Sequence, residues 1–228
     1  MRLGVGDAVA AFNGRDGEWL GRIETPAKRS IALRMERRLS PQPDGVDLWL
    51  LFAPLKRGPG DLLVTKAVEL GASALMPVMT ARTTASRVRR DRMRALAIEA
   101  AEQCGRCDVP ETREPAPLSE LLDGWPAERR LMFCDESGHG LPVVDFLNEA
   151  GCDGIAGPWA VLIGPEGGFT EEERASLRAR PFVHPVDLGP RLLRAETAAI
   201  AALVCWQAVI GDWRNAGASP ARAAALRA

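Results

Sequence analysis

The sequence predicts an α/β protein with a short β-rich segment in front of it. Three observations carry this prediction. Val46 to Phe52, Asp61 to Leu70 and Ala74 to Met79 read as strand, helix and strand at the spacing of a βαβ unit. Val161-Leu162-Ile163 is an apolar run suited to a buried strand; it breaks at Gly164-Pro165-Glu166-Gly167-Gly168 and passes into a helix. Leu188-Gly189-Pro190-Arg191 then leads into a second helix from Ala195. Two glycine-bearing strand-end loops that each feed a helix also suit a small-molecule site, because glycine lets a ligand lie against bare backbone.

Each element follows from its residues. Ala8 to Phe12 and Glu18 to Ile23 flank a five-residue turn-rich loop, Asn13 to Gly17, which reads as a hairpin. Ile31, Leu33 and Met35 alternate with Ala32, Arg34 and Glu36, a period of two that predicts a strand with one buried face. Arg34, Arg37 and Arg38 then line exposed edges. Three strands are too few to close a barrel, so this unit reads as N-terminally incomplete. Pro41-Gln42-Pro43-Asp44-Gly45 marks the boundary, dividing the chain into 1–44 and 45–228.

Past the boundary, Val46 to Phe52 is a strand covered on both faces. Gly71 stops the helix that begins at Asp61. Asp91 to Gln103 is helical, with Met93, Leu96, Ala97 and Ala100 as its apolar stripe. Leu131 to Cys134 is a third strand, Pro142 to Ala150 a helix, Trp159 to Ile163 a fourth strand and Phe182 to Leu188 a fifth. Thr170 followed by Glu173 is a capping-box pattern that opens a helix. Ala195 to Asp212 is a long apolar last helix, with Trp206 and Trp213 seven residues apart on one face. The tail from Asn215 reads as frayed.

Composition narrows the class. The chain of 228 residues is 46% hydrophobic and 26% charged, as expected of a soluble globular protein. No apolar run approaches the ~20 residues of a membrane span, and Met1-Arg2-Leu3-Gly4-Val5-Gly6-Asp7 lacks a signal-peptide core. Five irregularly placed cysteines point to a reduced, cytoplasmic protein. The net charge of -1 hides an asymmetry: residues 1–94 hold 17 Lys/Arg against 10 Asp/Glu, and residues 95–228 hold 12 against 20. A basic front half points to a polyanion at that end.

Several chemistries are disfavoured. Cys104-Gly105-Arg106-Cys107 is a lone C-x-x-C with no second pair, and His139 and His184 stand apart, so no metal is expected. His139 lies in a polar loop, Ser137-Gly138-His139-Gly140, and reads as surface. Gly4-x-Gly6 has Val9 where a dinucleotide fingerprint has its third glycine. The Gly164–Gly168 stretch lacks the Lys-Ser/Thr of a P-loop, and there is no G-x-S-x-G elbow.

Longer motifs are more specific. Leu162-Ile163-Gly164-Pro165-Glu166-Gly167-Gly168-Phe169, with Leu188-Gly189-Pro190-Arg191-Leu192-Leu193-Arg194-Ala195-Glu196-Thr197-Ala198, resembles the ribosomal RNA small-subunit methyltransferase E family of the SPOUT superfamily. Arg2-Leu3-Gly4-Val5-Gly6-Asp7, Lys66-Ala67-Val68-Glu69-Leu70-Gly71 and Glu102-Gln103-Cys104-Gly105-Arg106 with Pro110 extend the resemblance along the whole chain. Where the family has Glu-Arg-Ser after its second strand, this chain reads Ala81-Arg82-Thr83. The resemblance implies a SPOUT-type methyltransferase domain with a deep trefoil knot over 45–228, preceded by a partial PUA-like RNA-binding β-barrel over 1–44.

It also implies a homodimer that transfers a methyl group from S-adenosylmethionine to N3 of a uridine in 16S rRNA of the small ribosomal subunit. Rival readings are an rRNA-binding or assembly protein without activity, and a SPOUT enzyme acting on tRNA. Under the family reading the cofactor lies against Leu162, Ile163, Gly164, Pro165, Glu166, Gly167, Gly168, Leu188, Gly189, Arg191, Leu192, Leu193, Thr197 and Ala198. Arg194 and Glu196 are the catalytic candidates, as oxyanion stabiliser and base. An alternative for Glu196 is a helix N-terminal charge favoured by the dipole. Arg34, Arg37, Arg38, Arg82, Arg87, Arg89 and Arg90 would meet RNA.

Overall fold

The structure, a computed structural model, describes residues 3–26, 30–84, 88–152 and 157–215. Arg2, Lys28, Arg29, Arg87 and the tail beyond Asn215 lie outside the described residues. Strands β1 (Ala8–Phe12), β2 (Glu18–Pro26) and β3 (Ile31–Ser40) form an antiparallel sheet in that order. The β1–β2 loop is the predicted one: the Asn13 side chain accepts from the Arg15 and Asp16 N–H groups at 3.0 and 2.9 Å. Gly17, at φ 82, passes so close to the Pro41–Gln42 backbone that a Cβ would lie 2.8 Å from the Gln42 nitrogen.

One expectation for this sheet is overturned. The alternating face of β3 is not buried: Ile31 is 59% and Met35 49% exposed. Three strands supply no second layer to stack on that face, so the period-two pattern has no partner to pack against.

The main body is an eight-stranded sheet of parallel pairings. Its strands are β4 (Leu48–Phe52), β5 (Ala74–Met79), β6 (Glu111–Thr112), β7 (Ala116–Pro117), β8 (Arg130–Cys134), β9 (Leu141–Pro142), β10 (Trp159–Ile163) and β11 (Val183–Asp187). The spatial order is β6-β5-β4-β10-β8-β11-β9, with β7 alongside β5. Helices are α1 (Arg57–Glu69), α2 (Arg90–Cys104), α3 (Leu118–Asp123), α4 (Val143–Cys152), α5 (Glu171–Arg178) and α6 (Ala195–Val209).

Both sheet faces are covered, which is why the strands read as unbroken apolar runs. Leu48, Leu50 and Phe52 join Val161 and Ile163 in a core with residues of α1, α2, α4 and α6. Leu51, Ala160 and Leu162 point the other way, into a second core with Leu118 and Leu122 of α3 and Leu177 of α5. Phe12 and Val46 pack against the first core, so the small sheet leans on the large body.

Boundaries differ where a local feature intervenes. α1 begins at Arg57, because Pro59 sits in the first turn where its missing N–H costs nothing. β6, β7, α3 and β9 are too short for a periodic signal. α6 ends at Val209 and a 3₁₀ turn follows from Asp212 to Asn215. Trp206 is therefore buried while Trp213 is 48% exposed, and the two do not share a helix face. Gln207 holds this end: its amide donates to the Leu70 carbonyl at 2.8 Å and its oxygen accepts from the Asp212 N–H at 3.0 Å.

The motif ending in Arg106 has a structural account. Gly105 is the left-handed cap of α2 at φ 76 and turns the chain back. Arg106 then donates to the carbonyls of Val68, at 2.5 Å, and Ala72, at 3.1 Å, at the C-terminal end of α1, and its Nε reaches Asp108 at 3.1 Å. A guanidinium there meets the negative end of the helix dipole and fills otherwise orphaned acceptors.

Candidate active site

Ligands of open parallel sheets gather at the carboxyl ends of the strands, and this sheet has a cavity there. A cleft of about 270 Å³ opens between residues 134–138, following β8, and residues 186–193, following β11, with Ala198 of α6 closing it. Its walls are partly apolar, from Val186, Leu188 and Leu193, and partly bare loop backbone. Gly189 stands at φ 109 with nothing within 4 Å of a would-be Cβ, and its N–H donates to Asp187 Oδ1 at 2.8 Å. Among the described residues Asp187 makes no ion pair, and the pocket lining carries this carboxylate together with the Arg191 guanidinium.

Asp135, by contrast, is firmly paired. It is 3% exposed, its N–H donates to the Val186 carbonyl at 3.0 Å, and its side chain accepts from the Ser137 N–H at 3.0 Å and from Arg178 at 2.5 Å. Burial works against its charge, but the hydrogen bonds from Ser137 and the Arg178 guanidinium prevail and hold its carboxyl below the usual range. The depressed value means this carboxylate stabilises the fold above its unfolded pKa of ~4 and that the gain is lost as pH falls through the folded value. The melting-temperature gap between wild type and Asp135→Asn should thus stay constant from about pH 7 to 5 and narrow below about pH 4. A gap that does not change down to about pH 3 would rule this out.

The Gly164–Gly168 turn stands behind the pocket. Gly168 N–H donates to the Pro165 carbonyl at 2.9 Å, and a Cβ on Gly164 would strike the Phe169 ring at 2.5 Å. The predicted capping box is formed: Glu173 N–H donates to Thr170 Oγ1 at 3.2 Å and Thr170 N–H to Glu173 Oε2 at 2.9 Å. The other Glu173 oxygen accepts from the Ala81 N–H at 2.7 Å, and Arg82 donates to the Gly167 carbonyl at 2.9 Å. The Ala81-Arg82-Thr83 loop is thereby docked on this turn.

Of the residues expected at the cofactor, the pocket brings together Leu188, Gly189, Arg191, Leu192, Leu193 and Ala198. Leu162 and Ile163 lie buried in β10, while Gly164, Pro165, Glu166, Gly167 and Gly168 form the supporting turn. Thr197 is exposed on α6. Arg194 is the exposed N-cap residue of α6 and Glu196 lies half-buried in its first turn, in the stretch between the pocket-lining Leu193 and Ala198. Sequence reasoning missed residues 134–138. The available signal was a third strand that, like the other two, ends in a glycine-bearing loop.

The arginines expected at RNA are spread over β3, the loop after β5 and the start of α2. Several already carry exposed partners: Arg34 with Glu24 at 3.6 Å, Arg89 with Asp91 at 2.7 Å, Arg90 with Glu114 at 3.6 Å. Arg38 donates to the Ser40 carbonyl and Arg37 stands exposed. Exposed pairs of this kind are worth little and can be exchanged for phosphate.

Comparison with known proteins adds the decisive observation. A model of the RNA methyltransferase domain matches residues 42–207, and one of the RNA methyltransferase PUA domain matches residues 1–36. The chain belongs to the RNA methyltransferase family. The RNA methyltransferases similar to it include the ribosomal RNA small subunit methyltransferase E of Rickettsia conorii, 29% identical over 89% of this chain and 81% of that protein. The protein of the same name from Synechocystis sp. is 28% identical over 89% of this chain and 66% of its own length.

Among solved RNA methyltransferase structures, ribosomal RNA small subunit methyltransferase E from Neisseria gonorrhoeae, bound to S-adenosyl methionine, superposes with a TM-score of 0.77. It is 26% identical, covering 92% of this chain and 86% of that one. A methyltransferase from Legionella pneumophila with bound SAM gives 0.75 at 28% identity, covering 90% and 84%. The resemblance stated from the motifs is thereby borne out.

Proposed function

We propose that this chain is an S-adenosylmethionine-dependent methyltransferase of small-subunit ribosomal RNA, acting on N3 of a uridine in 16S rRNA. The observation that carries the proposal is the cleft between the loops after β8 and β11, in a chain that RNA methyltransferase domains match over residues 1–36 and 42–207. The pocket suits the cofactor chemically: apolar walls and backbone N–H and C=O groups suit an adenine edge, and Asp187 and Arg191 together suit a ligand that carries both an ammonium or sulfonium and a carboxylate. When bound there, S-adenosylmethionine supplies a sulfonium-activated methyl group.

The chain's own residues then have mainly to position the reactants, since direct displacement depends on alignment. Leu188, Leu193 and Ala198 exclude water from one side of the cleft. Arg194, at the positive end of α6, stabilises negative charge on a uracil oxygen as N3 loses its proton. Glu196, in the first turn of the same helix, accepts that proton. The insertion of β10 between β4 and β8, with α6 packed on α1 and β10, supports a C-terminal segment threaded as a trefoil knot. We further propose that the enzyme works as a cytoplasmic homodimer.

Mass spectrometry of 16S rRNA from a strain lacking the gene tests the proposal. One N3-methyluridine should disappear, and should return with the wild-type gene but not with Glu196→Gln. Intact 16S rRNA alongside a tRNA that has lost a methyl group would sink the substrate assignment.

A further inference from the structure

We propose that Glu136 is a positioning residue that clamps the Gly164–Gly168 turn to the pocket and so fixes the pocket's geometry. The inference rests on the cofactor reading given above. Glu136 lies in the pocket-lining loop after β8, between Asp135 and Ser137. Its Oε1 accepts from the Phe169 N–H at 3.1 Å and from Arg174 Nη1 at 3.2 Å. Arg174 in turn donates to the Phe169 carbonyl at 2.8 Å.

These three bonds close a ring. Both backbone polar groups of Phe169 are held, one by the carboxylate and the other by the guanidinium that balances it. The Phe169 ring is fully buried and meets Phe133 of β8 edge-on at 5.0 Å, which anchors the same residue in the core. Gly168 leaves room for the carboxylate: it stands at φ 67, and a Cβ there would lie 3.0 Å from Glu136 Cδ and closer still to its oxygen.

Glu136 ties this turn to the pocket-lining loop after β8, so the stretch with the strongest sequence signal is joined to the pocket by a residue that carried none. A carboxylate that accepts a backbone N–H while paired to an arginine makes charge-assisted bonds, stronger than neutral ones and more geometrically demanding. Losing it frees Phe169 N–H and leaves the loop after β8 with one anchor fewer, Asp135.

The test compares wild type with Glu136→Ala and Glu136→Gln, the second of which keeps an acceptor oxygen for Phe169 N–H. Hydrogen exchange of the cofactor-free protein comes first. The Phe169 amide should exchange about tenfold faster in Glu136→Ala, with Val161 and Leu162 unchanged. In calorimetry with S-adenosylmethionine, Glu136→Ala should bind roughly tenfold more weakly and Glu136→Gln within about threefold of wild type. The loss should appear in KM for S-adenosylmethionine, not in kcat.

Unchanged exchange at Phe169, or equal affinity in Glu136→Ala and wild type, overturns the clamp. Wild type that binds no S-adenosylmethionine overturns the cofactor reading instead, and the exchange measurement still decides whether the clamp exists.

Discussion

Gly140→Ala should lower the melting temperature by roughly 6–12 °C and weaken S-adenosylmethionine binding at least tenfold. Gly140 sits just before β9, where a Cβ would lie 2.7 Å from Val186 Cα and 2.8 Å from the Asp187 nitrogen, and closer still to the Val186 carbonyl carbon. All three atoms are backbone of β11, so no side-chain rotation can relieve the clash. β11 is itself held in register by β8, with Val186 opposite Cys134. Either β9 leaves the sheet or the end of β11 shifts, and that end carries Val186, Asp187 and Leu188 into the pocket.

Overpacking costs typically ~1–3 kcal/mol, and a backbone-on-backbone clash belongs at the top of that range. For a chain of this size each kcal/mol moves the midpoint by about 2–4 °C. Gly138→Ala, two residues earlier, is the control: Gly138 has a φ of 74 but nothing within 4 Å of a Cβ, so it should cost only ~1 kcal/mol. Thermal denaturation with calorimetry measures both. A Gly140→Ala protein melting within about 1 °C of wild type would refute the close-approach argument.

Arg106→Met should destabilise the fold by ~3 kcal/mol while leaving RNA contacts untouched. The side chain is 15% exposed and serves the Val68 and Ala72 carbonyls and the Asp108 carboxylate together. Methionine keeps most of the volume but leaves two acceptors and a charge without partners, and that loss exceeds the worth of the bonds themselves. Arg106→Lys should recover little, because an ammonium cannot span carbonyls and carboxylate with one planar fork. Chemical denaturation would reveal the loss as a lower midpoint at unchanged slope. A midpoint equal to wild type would show that Arg106 is a surface arginine and not a strut.

The parts of the molecule legible in the sequence are those that local chemistry dictates. Trp159–Ile163 is read residue for residue, because five consecutive apolar side chains admit only a strand buried on both faces. The Thr170–Glu173 cap is likewise local, closing over three residues. β3 misled because period two reports a strand's preference and not whether a second layer exists to satisfy it. The pocket was half legible. Its Leu188–Leu193 wall follows a motif, but the opposite wall is set by strand order, with β8 and not β10 beside β11. No periodicity encodes that order, so Asp135 and Glu136 carried no signal of their own. Arg106 stood out as part of a motif, yet the Val68 and Ala72 carbonyls it serves lie on another segment, at the end of α1.

The amide of Gln207 joins α6 to the Leu70 carbonyl across 137 residues of chain. Biosynthesis is vectorial, so this tie cannot form until nearly all of the described protein has left the ribosome. The same late segment, residues 186–198, builds one wall of the pocket. A nascent chain therefore carries strands β4, β5, β8 and β10 before it has both walls of the pocket, and the last sheet strand, the pocket wall and the helix that braces them emerge together.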